Sequence, residues 1–67
     1  MSYQKLRGAI REKYGTQAAF AEAIRMHPAT LSSKLRGRTD WTRQEIVDAC
    51  LLLSIPAGSE HSYFFTP

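Results

Sequence analysis

The stretch TQAAFAEAIRMHPATLSSKLRG, residues 16–37, decides the fold. Its apolar residues recur at helical spacing on either side of a short interruption. The spacing predicts two helices, over about 17–24 and 28–36, joined by about three residues, Arg25 to His27. Helices joined by so short a connection must cross steeply, and Ala21 offers the small side chain that the crossing needs. The stretch therefore predicts a helix-turn-helix.

The rest of the chain also follows helical spacing, and no stretch of four or more residues alternates as a strand would. Further helices are predicted over about 3–14, with Ser2 as the N-cap, and over about 43–53. The segment 57–65 is a candidate fifth helix. We therefore expect a single all-α domain over residues 1–67, a compact bundle of four or five short helices.

The start of the fourth helix carries the strongest local signal. Thr42 and Glu45 form a capping box, T-x-x-E, in which each side chain can accept a hydrogen bond from the other residue's backbone N–H. Trp41 and Ile46 occupy the two positions of a hydrophobic staple. We interpret Trp41 as structural, and Cys50, on the inner face of this helix, as a small core residue.

The charges are divided unevenly along the chain. Residues 1–43 hold all nine Lys and Arg against three acidic residues, a net charge of +6, whereas residues 44–67 hold three acidic residues alone, a net charge of −3. The basic part suggests a face built for a polyanion. A single cysteine favours a reduced, cytoplasmic setting, and the apolar runs are too short to span a membrane.

Signals for catalysis are missing from the sequence. It holds no paired carboxylates, no nucleophile beside a base, no glycine-rich phosphate loop and no residues at metal-ligand spacing. A chain of 67 residues also leaves little room for a concave pocket. We expect no enzyme activity, no metal, no cofactor and no small-molecule ligand.

The third helix carries the residues expected to meet DNA. If Leu31 and Leu35 face the core, its outward face holds short, polar and basic side chains, so it can enter a major groove closely. The residues that then face outward are Ala29, Ser32, Ser33 and Arg36, and His27, just before the helix, is interpreted as a weak N-cap or a residue at the edge of the groove. The basic side chains at its C-terminal end and beyond, which suit the phosphate backbone, are Lys34, Arg36, Arg38 and Arg43.

These motifs resemble the Cro and repressor-type helix-turn-helix family, closest to its small phage-derived regulators. The pattern K-L-[RK]-G-x-I-[RK]-E-K-Y-G-T-Q-x-A-F-A-E-A-I is present from Lys5 to Ile24, and TLSSKLRGRTDWT follows. The resemblance covers about residues 3–55 and implies a lambda repressor-like domain that binds operator DNA, usually as a homodimer. It also implies a phosphate contact by Gln17, and we expect the N-cap residue Thr16 to hold the same phosphate. The base-reading positions that it implies are Pro28, Ala29, Ser32 and Ser33.

Two positions depart from the family's glycines, and a third departure lies at the start of the third helix, where His27 and Pro28 stand in place of the Gln or Ser of many relatives. Arg25 and Ser54 stand where the family commonly has glycine, and a left-handed backbone at Arg25 costs about 1 kcal/mol relative to glycine. The third helix also lacks a long side chain on its early face. Arg25 and the short side chains of the third helix favour a second hypothesis, in which the chain is a protein-interaction module, such as an antirepressor or accessory factor, on a retained helix-turn-helix scaffold.

The aromatic tail, Tyr63, Phe64 and Phe65, has two interpretations that the sequence leaves open. It can fold back to close the core, and it can form a dimer contact, because three consecutive aromatic residues cannot all point inward on one helix; the two interpretations are compatible. The basic residues on the outer face of the first helix are interpreted as mostly solubilising: Lys5, Arg7, Arg11 and Lys13.

Overall fold

The protein forms five helices in a computed structural model that describes residues 3–56 and 58–65. The helices are α1 (Gln4–Tyr14), α2 (Gln17–Ala23), α3 (Pro28–Leu35), α4 (Arg43–Leu52) and α5 (Glu60–Phe64). Within these described ranges there is no strand. The predicted all-α bundle is confirmed, and the first four helices end within a residue of the predicted bounds. The fifth is shorter than predicted; its predicted first residue, Ala57, and the predicted N-cap Ser2 lie outside the described residues.

The core is built from apolar residues that recur at helical spacing. The large side chains that are fully buried are Leu6, Ile10, Phe20, Leu31 and Leu35. Ala21 is also fully buried, as expected for the small residue at the crossing of α2 and α3. Both helices of this unit therefore fix their position by burying one face, which leaves the opposite face of α3 for solvent or a ligand.

Two non-glycine residues end helices in the left-handed conformation. Arg25 follows α2 with φ 60°, and Ser54 follows α4 with φ 57°. The backbone N–H of Met26 closes the first turn onto the Ala21 carbonyl at 2.8 Å, and that of Ile55 closes the second onto the Cys50 carbonyl at 2.9 Å. Both departures from the family's glycines therefore fall at positions where the backbone favours glycine.

Replacing Arg25 with glycine should raise the free energy of unfolding by up to about 1 kcal/mol. Glycine removes the strain of a left-handed residue, and its greater freedom in the unfolded chain offsets part of that gain. Urea unfolding of the dilute protein measures the change. Arg25→Ala is the matched control, since alanine loses the same side chain and keeps the strain; an equal gain in both variants would contradict the backbone explanation.

The aromatic tail closes the core through Phe64. Its side chain is 2% exposed, and its ring lies edge-on to Trp41 with the centroids 5.1 Å apart. On the other side, Trp41 lies edge-on to Tyr3 at 6.5 Å. The interpretation of Trp41 as a structural residue is confirmed, because its ring packs between Tyr3, just before α1, and Phe64 at the end of α5.

The helices are short in relation to a membrane. Among the residues that the structure describes, no helix has the length and apolar character needed to cross one.

Candidate nucleic-acid interface

The two helices of the α2–α3 unit begin with side-chain caps. The Thr16 hydroxyl oxygen accepts a hydrogen bond from the Ala19 backbone N–H at 3.1 Å. His27 Nδ1 accepts one from the Ala29 backbone N–H at 3.1 Å, and Pro28 occupies the first turn of α3. Gln17, the first residue of α2, is exposed. Thr16 and His27 therefore set where the helices begin, and Gln17 is accessible for the predicted phosphate contact.

The outward face of α3 consists of short side chains. Pro28 and Ala29 are exposed, whereas Ser32 and Ser33 are half-buried. The Thr39 hydroxyl donates to the Ser33 Oγ at 3.3 Å, so the loop after α3 folds back towards this face. The five residues predicted to face bases are thus at or near one accessible surface, with Ser33 partly occupied by the loop.

Lys34 is not on that surface, which corrects its predicted phosphate contact. Its side chain is 5% exposed, and its Nζ lies 2.9 Å from Glu45 Oε1. The same Nζ donates to the Asp40 carbonyl at 2.8 Å. A buried ammonium that is bound to two oxygens of its own chain is not free to meet DNA. Its hydrocarbon stem follows the core face of α3, and its charge ties α3 to the start of α4.

The remaining predicted basic residues, Arg36, Arg38 and Arg43, are exposed. Arg36 caps α3, and Gly37 with φ 78° turns the chain out of the helix. Among the described residues, none of these arginines forms an ion pair within 4.0 Å. The structure thus leaves a set of three guanidinium groups accessible at the C-terminal end of α3 and at the first residue of α4.

Arg7 has a structural contact that sequence reasoning missed. Its Nη2 donates to the Leu35 carbonyl at 2.9 Å, which satisfies an acceptor at the C-terminal end of α3. The two residues are 28 positions apart, so no local pattern points to this pair. Arg7 also lines, with Arg11, Thr16 and Gln17, a groove of about 480 Å³ between α1 and α2. Arg7 is therefore more than a solubilising residue.

The capping box at α4 is confirmed and continues into the buried ion pair. Glu45 Oε1 accepts from the Thr42 backbone N–H at 2.8 Å, and the Thr42 hydroxyl accepts from the Glu45 backbone N–H at 3.1 Å. Burial by itself raises the pKa of Glu45, but the Thr42 hydrogen bonds and the Lys34 ammonium together hold it below its usual 4.5. The Glu45 carboxylate thus accepts the capping hydrogen bond of α4 and also pairs with the Lys34 ammonium of α3.

Acid should weaken the fold through this carboxylate. Because the pKa of Glu45 is lower in the folded than in the unfolded chain, its contribution is present above about pH 4.5 and is lost as the pH falls through the folded pKa. Urea unfolding between about pH 3 and pH 6 measures this loss. In Glu45→Gln the dependence should be shallower, and an unchanged profile would contradict the assignment.

The tail residues are divided between core and surface. Phe64 is buried, so for this residue the core interpretation is confirmed and the dimer contact is not. Tyr63 is half-buried, and Lys5 Nζ lies 4.8 Å from the centre of its ring. Phe65 is 52% exposed, with its ring stacked on His61 at 5.7 Å. One aromatic side chain of the three is therefore well exposed, and a dimer contact by Tyr63 and Phe65 stays a prediction.

Residue clusters that could bind a metal are not found within residues 3–56 and 58–65. The polar features of the surface are instead the helix-turn-helix face and its arginines. Together with the five-helix bundle, they define the class of protein as a small, compact all-α domain built around a helix-turn-helix unit.

Comparison with known proteins identifies the family. The chain belongs to the family described as protein of unknown function (DUF739), which matches residues 1–67. Its fold is similar to the solution structure of the modulator of repression (MOR) of the temperate bacteriophage TP901-1 from Lactococcus lactis. The TM-score is 0.86 at 37% sequence identity, over 97% of this chain and 88% of that one. No curated protein matches the chain. The resemblance to small phage regulators is thereby confirmed, whereas membership of the Cro and repressor family stays a prediction.

Proposed function

We propose that the chain regulates repression in a temperate phage and that it does so by binding operator DNA through its helix-turn-helix. The likeness to a phage modulator of repression supports the regulatory role. The observation that carries the DNA contact is the outward face of α3. It presents small side chains, Pro28 and Ala29, and is bordered by exposed arginines. A major groove admits such a helix closely, and the arginines match the phosphates beside it.

In this proposal α3 lies in the major groove, with each side of the groove held separately. Gln17 at the start of α2 contacts the phosphate on one side. Arg36, Arg38 and Arg43 contact the phosphates on the other side. Since the polar side chains Ser32 and Ser33 are short and half-buried, direct base contacts are few, and much of the affinity comes from the phosphate backbone. The role involves no catalytic step and no cofactor.

Selection from a random duplex library tests this proposal. The bound duplexes are recovered over several rounds at moderate salt and sequenced. We expect enrichment of two half-sites about one helical turn, or roughly 34 Å, apart, as a homodimer on DNA requires. Retention without an enriched sequence would support the phosphate contacts and contradict sequence reading by α3. No retention, with the protein shown to be folded by circular dichroism, would overturn the DNA-binding proposal.

A second candidate is a modulator that acts on a repressor protein and does not itself bind the operator. The internal pairing of Lys34 favours it, because one of the four predicted basic contacts is lost from the DNA-facing surface. The name of the similar phage protein is compatible with this role as well. The two candidates differ in one assay. A modulator of this kind would change the retention of a phage repressor on its operator while showing no retention of its own on the same duplex.

A further inference from the structure

The outer side of α4 exposes two large aliphatic side chains. Leu51 is 75% exposed and Val47 is 41% exposed, and they lie four residues apart, on one side of the helix. Ala49 and Cys50, on the inner side of the same helix, are buried. Because α4 buries its other face in the core, Leu51 and Val47 are not needed there. Packing of the core therefore does not explain why these two exposed side chains are apolar.

A cavity of about 270 Å³ lies beside Leu51, between α4 and the end of α2. Its apolar lining comes from Ala23, Ile24, Leu51 and Leu52, and its charged lining from Arg25 and Asp48. We call this cavity, together with Val47 and Leu51, the α4 patch. The patch therefore holds an exposed aliphatic side chain and an apolar hollow next to each other, with one positive and one negative residue at the same hollow.

These features make the α4 patch complementary to itself. In a contact with two-fold symmetry, the same surface of both copies forms the interface. Each protrusion, hollow and charge of the patch must therefore be complementary to another residue of that same patch. A protruding leucine beside an apolar hollow meets this condition in shape. Arg25 and Asp48 meet it in charge: neither forms an ion pair with a described residue within 4.0 Å, and Asp48 Oδ1 accepts one hydrogen bond, from Gln44 Nε2 at 2.9 Å, which leaves its negative charge unpaired.

We propose that the α4 patch binds a second copy of this chain. Leu51 of each copy enters the hollow of the other, and Arg25 of each copy faces the partner's Asp48. This interface lies away from the aromatic tail, whose Phe64 is in the core. Because the exposed apolar surface is small compared with the roughly 800 Å² per partner of a stable complex, the dimer is weak in free solution. The proposal does not depend on DNA binding.

Sedimentation equilibrium of the full chain without DNA tests the dimer. We expect a reversible monomer–dimer equilibrium at protein concentrations up to about 1 mM and a dissociation constant at least about tenfold higher for Leu51→Glu. Phe65→Glu is the matched control, because it places the same charge at another exposed apolar residue and should leave the equilibrium unchanged. A wild-type chain that stays monomeric throughout, or an equal effect of both variants, would overturn the proposal.

Complementary charge reversals give a second test that is specific to a two-copy contact. Arg25→Asp and Asp48→Arg should each dissociate, because each homodimer then brings like charges together. Mixed in equal amounts they should form a heterodimer in which both contacts again join opposite charges, one with the original Arg25 and Asp48 and the other with the two signs exchanged. Aspartate is tolerated in the left-handed conformation at position 25, so the first variant is expected to fold. Failure of the mixture to associate would contradict the predicted pairing and overturn the two-fold arrangement.

Discussion

Lys34→Ala should lower the free energy of unfolding by about 3 kcal/mol, the largest single loss of stability that we expect. The variant leaves the Glu45 carboxylate without its cation and the Asp40 carbonyl without its donor. It also removes a hydrocarbon stem that lies in the core. A chain of this length has a total stability of roughly 3–10 kcal/mol, so much of the variant would be unfolded at 37 °C. Urea unfolding at 25 °C measures the difference.

Two variants separate the loss of packing from the loss of charge. Lys34→Met keeps an unbranched apolar chain and removes the ammonium. Its free energy of unfolding should fall by most of the amount expected for Lys34→Ala, because Glu45 stays charged and is only a quarter exposed. Lys34→Met combined with Glu45→Gln removes both charges, and it should recover much of the loss, as uncharged replacements of a buried pair commonly do. If Lys34→Met is instead as stable as the parent while Lys34→Ala is not, packing is the main contribution of Lys34 and the ion pair is not.

Local patterns predicted the helices because each helix carries its own signals. The capping box of Thr42 and Glu45 fixed the start of α4, and the short connection around Arg25 required a small buried residue at position 21. In each case the interacting residues lie within five positions of one another. The ends of the helices, and the small residue Ala21 where α2 and α3 cross, could therefore be predicted from the sequence.

The errors arose where a side chain interacts with a distant part of the chain. Lys34 lies eleven positions before Glu45, too far for a local pattern to indicate the pair. Its positive charge suggested a phosphate contact, but its position on the core side of α3 directs the side chain inward. Arg7 binds a carbonyl 28 positions away. Phe64 belongs to a tail whose sequence allowed either core or surface. Charge and aromatic content indicate what a residue can bind, and only the packed helices determine which partner it meets.

The corrected role of Lys34 connects stability with the proposed interface. By binding the Asp40 carbonyl, its ammonium holds the end of the loop that carries Arg36 and Arg38. The Thr39 hydroxyl holds the middle of the same loop on Ser33. The exposed arginines thus project from a segment that is attached at two points to α3, and part of the cost of ordering it for a ligand is met during folding.

Neutralising Arg36 and Arg38 together should weaken duplex binding by roughly 30-fold at 0.15 M salt. Each phosphate contact releases about 0.9 of a condensed counterion, so the slope of log K against log salt should fall by about two units. Fluorescence anisotropy with a labelled duplex, measured from about 50 to 200 mM salt, gives both values. Because the two side chains are exposed, the Arg36→Gln, Arg38→Gln variant should keep the stability of the parent.

The control for this prediction changes the net charge equally at another place. Lys5→Gln combined with Lys13→Gln removes two positive charges from the outer side of α1, where Lys5 lies over Tyr63 and Lys13 donates to the Ser54 hydroxyl. Two screened surface charges away from the DNA should change the slope little. If both double variants lower the slope alike, the binding depends on total charge and not on the arginines at the end of α3. If neither does, these arginines do not contact phosphate, and the regulatory role would have to be carried by protein contacts.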